Sequence, residues 1–85
     1  MAEKTADEIT KIFNNAGDSV TVINGDKPEG FTNAEWKETL QRNVAHLETI
    51  KAYKKEDGTT SIWTTQNFTA HDAAVTAGKS KIAGL

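Results

Sequence analysis

Two histidines, His46 and His71, are the side chains of this 85-residue chain best suited to metal or acid–base chemistry. Each has charged company: His46 stands with Arg42 and Glu48, and His71 precedes Asp72. Imidazoles with a carboxylate are a common metal ligand set, so a site would arise if His46 and His71 converged. The spacing offers no H-x-x-x-H or H-E-x-x-H, the patterns that place two imidazoles on one helix face. A solvent-facing or cap-side histidine is the simpler reading, and neither a metal nor a cofactor is expected.

The remaining reactive residue types give no constellation. Twelve acids include no D-x-D-x-D-G loop, and Asp18, Asp26 and Asp57 lie beside turns, where Asp serves the backbone. Gly25, Gly30 and Gly58 are isolated and make no phosphate cradle. No cysteine is present, and Ser19, Ser61 and Ser80 lack a G-x-S-x-G context. The expectation is a protein that is not an enzyme, with no small-molecule substrate. Asn67-Phe68-Thr69 matches the glycosylation pattern as a chance occurrence. Lys51, Lys54 and Lys55 suit a helix C-terminus better than a phosphate site.

The elements that would position these residues are organised around Phe31–Tyr53. Trp36, Leu40, Val44, Leu47, Ile50 and Tyr53 recur with the period of one helix face. Thr32 and Glu35 have capping-box spacing, and Phe31 and Trp36 occupy the positions of a hydrophobic staple. Continued to Lys54, this helix would be about 33 Å long. A rival pattern makes residues 48–54 a strand paired with 59–64 across Asp57-Gly58, a good hairpin signal. The helical period of Leu47, Ile50 and Tyr53 favours the helix.

Before it, residues 5–16 read as a helix, with a Thr5/Glu8 capping box and an apolar stripe of Ile9, Ile12, Phe13 and Ala16. Gly17 is its natural cap. Ser19–Asn24 is β-branched and alternating, which predicts a strand with Val20 and Val22 on one face and Ile23 on the other. Residues 25–30 are a loop. A lone strand needs a partner, and Thr59–Thr64 is the one within the chain; a neighbouring subunit's edge is the alternative. The last helix follows Phe68, with Thr69 and Asp72 at cap spacing and a face crowded by Ala73, Ala74, Ala77 and Gly78, with Val75 and Ile82 adding bulk. The predicted class is α+β, mainly helical, in the order helix, strand, long helix, short strand, helix, with at most a two-stranded antiparallel sheet. The predicted core comprises Ile9, Ile12, Phe13, Val20, Val22, Trp36, Leu40, Val44, Leu47, Ile50, Ile62, Phe68, Ala74, Val75 and Ile82.

Length bounds this to one domain over residues 5–82, with flexible ends at 1–4 and 83–85 and loose packing expected from Lys81 onward. Apolar residues are 36% of the chain and the mean hydropathy is -0.57, so stability should be modest. The net charge of -2, with signs interspersed, argues against a nucleic-acid binder. The first residues lack a secretory signal's apolar run and no stretch could span a bilayer. The expected location is the cytoplasm.

Arg42–Thr49 (R-N-V-A-H-L-E-T) and Ile62–Lys79 (I-W-T-T-Q-N-F-T-A-H-D-A-A-V-T-A-G-K) together resemble a pattern found in small uncharacterised proteins of tailed bacteriophages, those of cyanobacteria in particular. The resemblance implies no activity. It points to a virion component or a small host-interacting factor. The expected function is therefore a non-enzymatic structural or interaction protein, a decoration, connector or tail-associated subunit, with a monomeric regulatory or host-factor-binding module as the alternative. Its partner would be another protein or a second copy, with no role for nucleic acid or membrane. The candidate contact residues are Trp63, since tryptophan is enriched at interface centres, Ile23 on the strand, Lys27 in the loop, and Ala77 and Gly78, whose small side chains admit a close neighbour. For Trp63, a lid on the core is favoured over a surface anchor.

Overall fold

A computed structural model describes residues 4–85 of the chain. The architecture is three helices: α1 (Ala6–Asn24), α2 (Asn33–Lys51) and α3 (Thr69–Ala83). Each packs on the other two. The expected α+β class is overturned, because no strand forms among the described residues and β pairing is limited to one bridge, between Lys54 and Ser61.

The predicted strand at Ser19–Asn24 is the second half of α1. The apolar period of Ile9, Ile12, Phe13 and Ala16 continues through Ser19, Val20 and Ile23 at helical spacing, and Ala16, Ser19 and Ile23 are buried. A period of two would have hidden Val22; the helix turns it outward, to 37% exposure. Intrinsic β preference therefore yields to burial, as it does wherever packing decides. Gly17, expected as a cap, sits mid-helix instead, at a cost of about 1 kcal/mol relative to Ala.

The central helix stops at Lys51, with Ala52 as its cap. Residues 48–51 follow the helical reading. Beyond them the chain makes a minimal hairpin, in which the Lys55 amide donates to Thr60 O at 2.7 Å and the Ile62 amide to Tyr53 O at 3.3 Å. Gly58, at φ +74°, supplies the left-handed residue of the turn. Asp57 accepts both the Thr59 and Thr60 amides and the Thr60 hydroxyl. These bonds to Thr60, then to Thr59, lower the Asp57 carboxyl from its ordinary 3.8 to about 2.

Both helix starts with a Thr-x-x-Glu spacing form complete capping boxes, Thr5 with Glu8 and Thr32 with Glu35. The backbone amides of Thr5 and Thr32 hold the carboxyls of Glu8 and Glu35 below their usual range. The third expected cap fails. Thr69 is the first residue of α3, its amide donates to Asn67 Oδ1 at 2.9 Å, and the Asp72 carboxylate is taken by Lys51. Phe31, the outer half of the expected staple, remains 38% exposed.

Two helix C-termini are closed from a distance. The Lys81 ammonium of α3 donates to Ile23 O at 2.5 Å and Gly25 O at 2.9 Å, supplying the cation that the last turn of α1 lacks. The Trp63 indole N–H donates to Ile50 O at 2.8 Å, in the last turn of α2. Lys81 is thus fastened where a loose end was expected. At the other end of the chain, the expectation for 1–4 falls outside the described residues except at Lys4, whose Nζ lies 5.3 Å from the Tyr53 ring centroid. No helix among the described residues is long and apolar enough to cross a membrane.

The buried cluster joins Ala16 and Ile23 to Trp36, Leu40, Val44, Leu47, Ile50 and Ala74. Gly78 makes the tightest crossing: a Cβ there would lie 2.5 Å from Val44 Cγ2 and 3.2 Å from Ile23 Cγ2. Around Gly17 a Cβ would meet nothing within 4 Å. The two glycines should therefore respond oppositely to the same change. Gly17→Ala is expected to stabilise the fold by about 0.5–1 kcal/mol. Gly78→Ala should destabilise it by about 1–3 kcal/mol, because overpacking outweighs the gain in propensity. Urea denaturation followed by far-UV circular dichroism measures both.

Acid should act on the caps and the hairpin. Asp57, Glu8 and Glu35 bind their protons less readily folded than unfolded, so their contribution is complete above the ordinary carboxylate range and is lost as pH falls through the lowered values. The thermal midpoint should drop between about pH 4 and pH 2. Asp57→Ala should remove part of that dependence; an unchanged pH profile would show that the hairpin bonds contribute nothing.

Candidate functional site

The end of the bundle that joins α2 to α3 gathers the aromatic side chains. Phe13 of α1 lies 5.5 Å from Phe68, centroid to centroid, and 6.2 Å from Trp63, and Trp63 and Phe68 meet edge to face at 5.0 Å. His71 enters the same cluster, 4.8 Å from Phe13 and 4.9 Å from Phe68. Its position follows from the α3 period: His71, Ala74 and Gly78 share the buried stripe at spacings of three and four.

Beside this cluster, α2 and α3 leave a half-open groove of about 270 Å³. Leu47, Phe68 and Val75 make it largely apolar, and Glu48, Lys51, His71, Asp72 and Thr76 complete its lining. Two ion pairs tie the helices across it, Lys51 Nζ to Asp72 Oδ1 at 2.6 Å and Lys79 Nζ to Glu48 Oε2 at 3.2 Å. All four side chains are half exposed or more. Exposed pairs of this kind stabilise a fold by only about 0–1 kcal/mol. Their larger consequence is the pattern of charge they leave on the surface.

His71 is the unusual member. It is 7% exposed, and neither Nδ1 nor Nε2 has a hydrogen-bond partner among the described residues. A buried polar group in that state costs about 1–3 kcal/mol, and such groups call for an explanation beyond packing. His46, by contrast, is exposed on α2. Among the described residues no group of three His, Cys, Asp or Glu side chains is placed to hold a metal ion.

The five candidate contact residues separate. Ile23 is wholly buried, and Gly78 is buried at the helix crossing, so both serve the core rather than a partner. Ala77 is half-buried. Lys27 is exposed, its Nζ 3.0 Å from Asn33 Oδ1. Trp63 is half-buried with its indole N–H committed to Ile50, which makes it a lid and a helix cap. The groove residues were missed because Glu48, Lys51, Asp72 and Lys79 read along the chain as ordinary solvated charges. Their meeting depends on the register of α2 against α3.

No family model, curated protein or solved structure matches the chain. Its chemistry is therefore read from its own residues. Replacing the unpartnered imidazole tests that reading directly. His71→Leu removes the unmet polar cost and gives up ring contacts worth about 0.5–1.5 kcal/mol. The expected result is a gain of about 1 kcal/mol in thermal or urea unfolding; a loss of stability would mean that the ring contacts outweigh the unmet polar cost.

Proposed function

We propose that the chain is a non-enzymatic structural or interaction protein, working as a small virion-associated subunit of the decoration, connector or tail-associated kind. The observation that carries the reading is the α2–α3 groove. Apolar side chains floor it and paired charges frame it, which suits the knob of a protein surface. The virion setting rests on the resemblance of Arg42–Thr49 and Ile62–Lys79 to the small phage proteins.

The alternative, a monomeric regulatory or host-factor-binding module, has one observation in its favour. Val22, in the last turn of α1, and Phe31, in the loop that leads to α2, are 37% and 38% exposed. Trp63 is a poor contact residue for it, since its indole N–H is committed to Ile50 O in the last turn of α2.

Light scattering on the purified protein across a concentration range separates the two readings. A self-assembling subunit gives a defined species heavier than the 9.2 kDa chain, with a mass that rises with concentration. A mass of 9.2 kDa at every concentration removes the self-assembling form of the proposal and favours the monomeric module.

A further inference from the structure

We infer that the α2–α3 groove is a two-fold interface with a second copy of this chain. The inference rests on the structural reading above and specifies its surface.

The argument is the arrangement of sign around the groove. α2 and α3 run antiparallel, for Val44 faces Gly78 while Lys51, two turns on, pairs with Asp72. Glu48 pairs with Lys79. At one end of the groove the α2 side is therefore positive and the α3 side negative; at the other end the signs are exchanged. The four charges sum to zero and form a checkerboard.

A checkerboard is self-complementary. An isologous dimer places the same patch on both partners, related by a two-fold axis lying in the interface. With that axis along the helices, Glu48 faces the second copy's Lys79, and Lys51 faces the second copy's Asp72. With the axis across the helices, Glu48 faces the second copy's Lys51, and Asp72 faces the second copy's Lys79. Both arrangements bring opposite signs together. A patch of one sign would repel its own copy and select a foreign partner instead.

The remainder of the surface suits the same occupant. Phe68 and Val75 are only half-buried in the free chain, so the groove retains apolar area to cover. Interface centres are depleted of unpaired charge, with a polar rim outside, and the ion pairs here frame the apolar strip in that way. A standard interface takes about 800 Å² from each partner, roughly one-seventh of the 5616 Å² that this chain exposes. One long face of two helices can supply that.

Charge-swapped variants give the test. E48K/D72K makes all four positions positive, and K51E/K79E makes them all negative. Each variant alone should sediment as a 9.2 kDa monomer, and an equimolar mixture should recover a dimer, with affinity at least about tenfold above either alone. The wild type should dimerise and weaken in high salt, which screens exposed charge beyond about 3 Å at 1 M. Thr76→Arg inserts bulk and charge into the groove with the four original charges intact. It should be helical and monomeric, and it decides the matter if the swapped variants lose helix content.

Three results would each overturn the inference: a wild type that stays monomeric up to about 1 mM, a mixture of folded swapped variants that stays monomeric, or a Thr76→Arg protein that associates like the wild type. The first also removes self-assembly. The third, if the wild type associates, leaves self-assembly standing through another surface.

Discussion

The fold depends on one close approach. At Gly78 the α3 backbone comes so near to Val44 of α2 and Ile23 of α1 that no side chain fits between them. Three helices with mostly modest side chains can bury a shared core only by coming close. The consequences run outward from that point. Ile23 must be on an inward face, so α1 must reach it, and α1 therefore continues through Gly17. Lys81, just under a turn beyond Gly78, is then placed to donate to the carbonyls that end α1.

The same crossing sets the register of α2 against α3, and the register makes the groove. Moving along α2 from Val44 to Lys51 and back along α3 from Gly78 to Asp72 brings the two charges to 2.6 Å. Phe68 and Val75 are left partly uncovered beside the helices, while Leu47 is buried beneath them. His71 completes the picture, packed among rings that offer its nitrogens no acceptor or donor. Stability alone would favour an apolar residue there.

Much of the helical content is legible in the residues themselves. The stripe of Trp36, Leu40, Val44, Leu47 and Ile50 is the buried face of α2, and the Thr5/Glu8 and Thr32/Glu35 boxes form as their spacing predicts. These features survive because each involves residues within a turn of one another, so the chain meets its own requirement wherever it lies. Ser19–Asn24 shows the limit. Its β-branched composition outvoted its period, yet Ala16, Ser19 and Ile23 continue the stripe begun by Ile9 and Ile12. The signal for a longer helix is present in that period. For the strand there was no partner, since 59–64 contributes a single bridge.

By itself the sequence determined the N-terminal boundaries of α1 and α2, the inward face of α2 and the turn at Asp57-Gly58, all of which are settled by neighbours along the chain. Only the tertiary structure decided what closes the helix C-termini, where Lys81 caps α1 and Trp63 caps α2 from elsewhere in the chain. It also decided that Ile23 and Gly78 belong to the core, and that Glu48, Lys51, Asp72 and Lys79 share one surface. The physical reason is the same in each case. A local hydrogen bond needs only spacing, whereas a contact between distant residues needs the distance of approach and the register of packed helices, and those are properties of the assembled core.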